Sequence, residues 1–250
     1  MAKEDSQSMK TIKLKETDST NKWVLAHREE LEMPVAVYAE TQTSGRGQRG
    51  NSWESEPGKN LTVSVMFSPL GIDASRHFLV SEAVSLAVCD VLKKAGVDCK
   101  VKWPNDVYAG DRKISGILIE NSLLGHEIKS SVAGVGINLN QEEFLSDAPN
   151  PVSVIQLTGK STDVDMMARE FGDAVESRLL MMTGNPSALH EEYKALLWRK
   201  DGEKHGFFDR KRDERIRAGI RDVKENGILV LELTPDENRE YLFKEVEFIL

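Results

Sequence analysis

At 250 residues, with 40% hydrophobic and 30% charged residues and a formal net charge of −8, the chain has the make-up of an ordinary globular protein with a substantial core. The acidic balance argues against a protein whose main task is to hold nucleic acid, and no apolar run approaches the ~20 residues a bilayer helix needs. The polar first nine residues lack the apolar stretch of a signal peptide, and Cys89 and Cys99 lack any paired metal-ligand spacing, so reduced thiols in a cytoplasmic protein are expected.

Residues 12–14 alternate as a strand does and lead into Thr17-Asp18-Ser19-Thr20-Asn21, small oxygen-bearing residues that suit a helix N-cap. The spacing then predicts a helix over 23–31, stopped by Pro34, and a short apolar strand at 35–39. Residues 41–60 hold five glycines or prolines and almost no periodicity; long irregular segments in compact domains are usually functional. Residues 61–67 alternate Val and Met with Thr and Ser, which predicts a half-buried strand. Residues 77–95 place Leu79, Ala83, Leu86, Ala87 and Val91 at helical spacing and end at Gly96. Strands are expected at 101–103, 114–120 and 128–139, with turns at Gly110-Asp111 and Leu124-Gly125, and helices at 163–181 and 187–198. From Arg199 charge becomes dense, and short alternating segments follow at 215–223, 228–233 and 240–249, the first two joined by the hairpin signal Asn226-Gly227. The expected fold class is α+β: a disordered start at 1–10, a domain of mixed sheet and helices at 11–200, and a small β-barrel at 201–250.

The chemistry concentrates in four segments. Lys102-Trp103-Pro104-Asn105-Asp106, followed by Lys113 in Asp111-Arg112-Lys113-Ile114-Ser115-Gly116, sets a carboxylate, an amide and an ammonium around a short turn. A fixed ammonium there can bring together two anions that would otherwise repel, as activation of a carboxylic acid by a nucleoside triphosphate requires. Taken singly, Lys113 reads first as a solvated turn lysine, and Asp106 reads equally as ordinary turn chemistry after Pro104. Gly45-Arg46-Gly47-Gln48-Arg49-Gly50 can bring backbone N–H groups and guanidinium forks close to a phosphate or carboxylate, yet it matches neither a Walker loop nor a dinucleotide fingerprint. A mobile surface loop explains that hexapeptide as well. Trp53 offers a flat face on which a base could stack. Gly134-Val135-Gly136-Ile137-Asn138 ends an apolar strand with an amide able to donate and accept at once, which suits an adenine edge, although taken alone the segment reads as a strand-terminal turn.

Together with Ser19-Thr20-Asn21, these segments stand in the order and at the spacings of one family: the chain closely resembles the biotin–protein ligases, from about residue 10 to the C-terminus. The resemblance implies a catalytic domain of the class II aminoacyl-tRNA synthetase-like, biotin-ligase type and an SH3-like terminal barrel. It implies two half-reactions, in which biotin and MgATP give biotinyl-5′-AMP and pyrophosphate, and the biotinyl group then passes to a lysine of a biotin carboxyl carrier domain. By similarity Ser19, Thr20, Asn21 and Gln42 line the biotin pocket with Gly116, and Arg46, Gly47 and Gln48 cover biotin and its adenylate. Lys113 bridges the biotin carboxylate and the α-phosphate, with Arg46 and Asp106 counted beside it as catalytic. Arg49, Trp53, Asn105 and Asn138 serve ATP and the adenylate, and Asp106 lies near the Mg²⁺ ion.

Many family members have arginine where Gln48 stands and a basic residue at Asn51, so the duties within the loop are less fixed than the loop's own. With about ten polar residues before the first strand, the monofunctional type without an N-terminal DNA-binding domain is expected. The nearest rival is a lipoate–protein ligase, whose Arg-Arg-x-Ser-Gly-Gly-Gly motif is absent. A non-catalytic binder of nucleic acid or protein would have to use the 199–217 stretch, where eight Lys or Arg face five Asp or Glu, a balance more typical of a solvated linker and sheet edge. A homodimer is permitted by an exposed sheet edge and required by nothing in the sequence.

Overall fold

The structure is a computed structural model; it describes residues 8–69, 71–146 and 149–250, without the side chain of Arg49. Strand β1 (Lys10–Thr17) runs into helix α1 (Thr20–Ala26), and β2 (Val35–Gln42) returns parallel to β1. After β3 (Leu61–Phe67) comes α2 (Phe78–Lys94), buried almost all round, with Lys93 and Lys94 in its last turn and Gly96 beyond at φ +83°. Short β4 (Lys100–Lys102) and β5 (Asp106–Ala109) precede the long hairpin of β6 (Arg112–Leu124) and β7 (Glu127–Ile137). These strands form one seven-stranded sheet in the order β1-β2-β3-β7-β6-β5-β4, antiparallel except for β1 and β2.

Helices α3 (Val154–Thr158), α4 (Val164–Gly184) and α5 (Pro186–Ala195) follow. Local chemistry sets each start: Asp163 accepts from Met166 N ahead of α4, and Asn185 accepts from Ala188 N ahead of Pro186. The main core lies on the face of the sheet that carries α2, α4 and α5 and runs on into the C-terminal strands through Phe207, Ile220, Leu231 and Tyr241. On the opposite face α1 seals a smaller core of Val24, Val35, Val37, Met66 and Val132. The chain ends in β8 (His205–Asp209), β9 (Glu214–Val223), β10 (Leu229–Thr234), β11 (Glu237–Tyr241) and β12 (Val246–Phe248), an antiparallel sheet in the order β11-β10-β9-β8-β12. Its hairpin Asn226-Gly227 forms as expected, with Gly227 at φ +85°, and Gly227 O accepts a 2.9 Å hydrogen bond from Trp103 Nε1. Leu196 O and Trp198 N both bond Val101, so the linker into the small sheet is stitched to β4.

Several elements differ from expectation. The first helix starts at Thr20 and ends at Ala26, well before Pro34, because His27 turns back: its ring stacks on Trp23 at 4.1 Å with Nδ1 2.8 Å from Trp23 O, and only polar Arg28, Glu29 and Glu30 follow. Strand 61–67 is buried throughout, with its Thr and Ser hydroxyls bonded inside the protein. Helix α3 was not anticipated, although Ser153 and Gln156 form a capping box and Gly159 closes it at φ +71°. Asp106 opens a strand rather than sitting in a plain turn, β8 was missed in its charge-dense stretch, and segment 240–249 splits into the end of β11 and β12. Of the start expected to be disordered, residues 1–7 lie outside those described, while Ser8 Oγ bonds Asp173 at 2.8 Å and Met9 is buried.

Candidate active site

The α1 face of the sheet carries a cleft of about 1150 Å³. Its floor follows from the β6–β7 register, which sets Gly116 opposite Gly136 and Leu118 opposite Gly134 on one face. Nothing larger than hydrogen fits at Gly134 or Gly136. A Cβ on Gly136 would lie 2.2 Å from the Trp53 indole, and one on Gly134 would lie 2.2 Å from Asn21 Oδ1. The strand glycines therefore let a ring and an amide rest directly on backbone.

One end of the cleft is polar and crowded. Ser19 caps α1 without spending its hydroxyl on a capping bond, and Ser19, Thr20 and Asn21 are all buried. Gln42 Oε1 accepts from Thr20 N at 2.9 Å and faces Thr20 Oγ1 at 3.3 Å. Ser64, fully buried on β3, lies 2.7 Å from Thr20 Oγ1 and 2.5 Å from Asn21 Oδ1. Asn21 Nδ2 donates to Glu120 Oε2 at 2.9 Å. Thr20, Asn21, Gln42 and Ser64 are each fixed by another, which orients a set of donors and acceptors before a ligand arrives.

The segment expected as an irregular loop folds back on itself. Trp53 N donates to Gly45 O, Gly47 N donates to Asn51 O, and Arg46 bridges Ser52, around a short turn at Gln48–Gly50. Gly45 is required because a Cβ there would meet Trp53 O at 2.4 Å. The hairpin thereby lays Arg46, Gly47, Gln48 and Trp53 along the cleft.

At the centre stands Lys113. Its Nζ is 2.7 Å from Asp106 Oδ1 and 5.8 Å from the Trp53 ring centroid. Lys102 Nζ approaches the other Asp106 oxygen at 3.8 Å and lies about 5 Å from the rings of Tyr108 and Phe248. Burial lowers the pKa of Lys102, against the pull of Asp106 that raises it. Burial likewise pushes the Tyr108 hydroxyl far up, so it stays protonated. The backbone of Lys113 is clamped by the 150–152 segment, through Lys113 N to Asn150 O and Val152 N to Lys113 O. Asn138 donates to Val152 O at 3.1 Å, while Asn138 Oδ1, Trp53 Nε1 and Gln48 Oε1 are buried without a protein partner. Such atoms are rare in folded proteins, and three of them border this cleft. Asn105 spends its groups on Ile117, donating to its O and accepting from its N, which fixes the β5 turn against β6. The small sheet closes the far end with Arg210, Phe243, Lys244 and Phe248.

Every expected site residue whose side chain is described lines this cleft: Ser19, Thr20, Asn21, Gln42, Arg46, Gly47, Gln48, Trp53, Asn105, Asp106, Lys113, Gly116 and Asn138. The side chain of Arg49 lies outside the described part of the structure. As for a cation, Asp106 already faces two ammonium groups, and among the described residues no three His, Cys, Asp or Glu side chains converge. These residues do not make a cage for a resident metal ion. Sequence reasoning passed over Ser64, Glu120 and the contribution of the small sheet. The only signal for Ser64 was a hydroxyl in the middle of an apolar strand.

Fold and cleft together define an α+β protein with a polar, glycine-floored cleft across a mixed sheet. The chain belongs to the biotin/lipoate A/B protein ligase family, whose model matches residues 13–138. The bifunctional ligase/repressor BirA of Salmonella typhimurium is 37% identical over 153 residues, covering 60% of this chain and 48% of that protein. The biotin–[acetyl-CoA-carboxylase] ligase of Paracoccus denitrificans is 33% identical over 172 residues, covering 63% of this chain and 70% of that protein. The chain spans about half the length of the BirA proteins of Salmonella and Escherichia coli. In three dimensions it matches the biotin protein ligase from Aquifex aeolicus, solved in complex with biotin and ATP, with a TM-score of 0.77 at 24% identity over 95% of this chain and 97% of that one. That match bears out the expected α+β fold.

Proposed function

We propose that the chain is a biotin–protein ligase that joins biotin and MgATP to biotinyl-5′-AMP with release of pyrophosphate, then transfers biotin to a lysine of a biotin carboxyl carrier domain. The observation that carries this is Lys113 Nζ at the middle of a glycine-floored cleft, with a network of small polar groups on one side and Trp53 and Asn138 beside it. A carboxylic acid is already ionised at neutral pH, so the first step needs no base; its barrier is the meeting of two anions and their alignment. Lys113 lowers the first, and the fixed polar end lowers the second by holding the ureido ring with Ser19, Thr20, Asn21 and Gln42. Arg46, Gly47 and Gln48 cover the reacting groups, Trp53 and Asn138 hold the adenine, and Asn138 Oδ1 has an acceptor to spare for its amino group. The product is a mixed anhydride, so the 45–53 hairpin also serves to keep water out. Mg²⁺ belongs to the nucleotide as substrate, its charge carried in by the phosphates.

The second step needs a neutral carrier lysine, and Asp106, the carboxylate beside Lys113, is our candidate to take its proton. We assign residues 11–200 to the catalytic domain and 201–250 to a second domain that closes the phosphate end. A cytoplasmic setting accords with the free thiols of Cys89 and Cys99 and with the lack, among the described residues, of a helix long and apolar enough to cross a membrane. The test is calorimetry with biotin and with lipoate, each with and without ATP, followed by biotin-dependent ATP–pyrophosphate exchange. Tight biotin binding and exchange are expected; preference for lipoate, or binding of neither, overturns the proposal.

A further inference from the structure

We propose that Glu120 is a positioning residue that latches the 45–53 hairpin to the polar end of the cleft. Glu120 sits on β6 opposite Val132, on the same face as Gly116 and Leu118 but one pair further out, beside α1. Its two oxygens are divided. Oε2 takes the Asn21 amide at 2.9 Å, and Oε1 faces Arg46 Nη1 at 4.0 Å. The carboxylate is one-third exposed and Arg46 somewhat more, so the pair can part without stranding a buried charge. Asn21 in turn shares Ser64 with Thr20, and Thr20 bonds Gln42, the last residue of β2 before the hairpin segment begins. The circuit therefore runs from Gln42, at the end of β2, to Arg46 in the hairpin, with Glu120 as its one carboxylate. No other acidic side chain among the described residues is ion-paired to Arg46. Because Asn21 already holds Oε2 in the ligand-free protein, Glu120 is set in place for Arg46 before a ligand arrives. The contact therefore ties the hairpin to the polar end of the cleft above the reacting groups.

The inference rests on the ligase reading for its ligand, and on the ion pair alone for its mechanics, so the two can fail separately. Glu120→Gln keeps an acceptor for Asn21 and removes the attraction for Arg46; Glu120→Ala removes both. In the ligand-free protein, proteinase K should nick the 45–53 segment at least about threefold faster in E120Q than in wild type. Arg46→Gln should give the same increase, and the double variant should nick no faster than either single one, because both break one contact. With biotin and MgATP, E120Q should release biotinyl-5′-AMP about five- to tenfold faster while binding biotin alone within about twofold of wild type; E120A should lose about tenfold in biotin affinity as well. Wild-type nicking and release in E120Q overturn the latch while leaving the ligase reading standing. Equal loss of biotin affinity in E120Q and E120A also overturns it, since Glu120 would then serve Asn21 alone. If wild type binds no biotin the ligase reading fails, and the ligand-free nicking of the three variants still decides whether the latch exists.

Discussion

The cleft and the helical layer behind the sheet handle charge in opposite ways. Behind the sheet, Arg178 of α4 is held on both sides: its guanidinium makes four contacts of 2.6–2.9 Å, two to Asp90 of α2 and two to Glu192 of α5. Bonding to both carboxylates pushes its already high pKa further up, outweighing the effect of burial. In the cleft nothing is so complete. Asp106 serves Lys113 at 2.7 Å and Lys102 only at 3.8 Å, Arg46 reaches Glu120 at 4.0 Å, and Trp53 Nε1 and Asn138 Oδ1 have no protein partner. A saturated charge fastens helices together; an unsaturated one is available to a ligand. The difference is what separates structural from functional charge in this molecule.

The sharpest way to break that comparison is Lys113→Ala. If Lys113 neutralises the encounter of two anions, its loss should lower biotin-dependent ATP–pyrophosphate exchange by about a thousandfold, on the order of 4 kcal/mol in the barrier. The thermal midpoint should move little, because Asp106 keeps Lys102 nearby. Exchange within tenfold of wild type would remove Lys113 from the chemistry.

Arg178→Ala should do the reverse. It strands Asp90 and Glu192 facing each other across three helices and should cost about 3 kcal/mol in urea unfolding, less than a fully buried pair because both carboxylates can rehydrate. Exchange activity at 25 °C should stay near wild type, since Arg178 belongs to the helical side. A large loss of activity with unchanged stability would mean that the two sides of the sheet are coupled.

How far the sequence revealed this division depends on the range of the contact. Lys113, Trp53, Asn138 and the Gly45–Gly50 segment were legible through the order and spacing of four segments taken together, since each alone reads as turn, loop or strand end. The fold class was legible from periodicity, and Asn226-Gly227 from turn chemistry. Glu120 was not, because its partner Asn21 lies 99 residues away and meets it only through the packing of α1 over β7, the strand paired with β6. Arg210 and Lys244 enter the cleft only through docking of the small sheet, which no local pattern encodes. The capping box of α3 was legible and went unread, since five residues carry too little periodicity to announce a helix.

The smallest expected effect separates the two regions by pH rather than by mutation alone. Glu82 of α2 is fully buried, with Oε1 2.7 Å from His190 Nδ1 of α5 and Oε2 without a protein partner. Burial pushes its pKa from an ordinary 4.5 up to about 7, against the opposing pull of His190; Lys194 also draws it down and Glu225 pushes it up. Between these values the folded protein holds a proton that the unfolded chain has already released. Folding stability contributed by this group is therefore complete below about pH 4.5 and is lost as pH rises towards 7. Glu82→Gln keeps an acceptor for His190 and cannot ionise, so the variant and wild type should be close in stability at pH 4.5. The variant should then gain on wild type by an amount on the order of 2 kcal/mol by pH 7.5. Urea unfolding of both proteins across that range reads the gap directly. A gap that does not widen with pH would mean that Glu82 ionises at the ordinary value, and that the helical layer, like the cleft, keeps a charge open to water. The widening should leave exchange activity untouched, because Glu82 lies on the face of the sheet away from Lys113, and a parallel pH dependence in kcat would contradict the separation of the two regions.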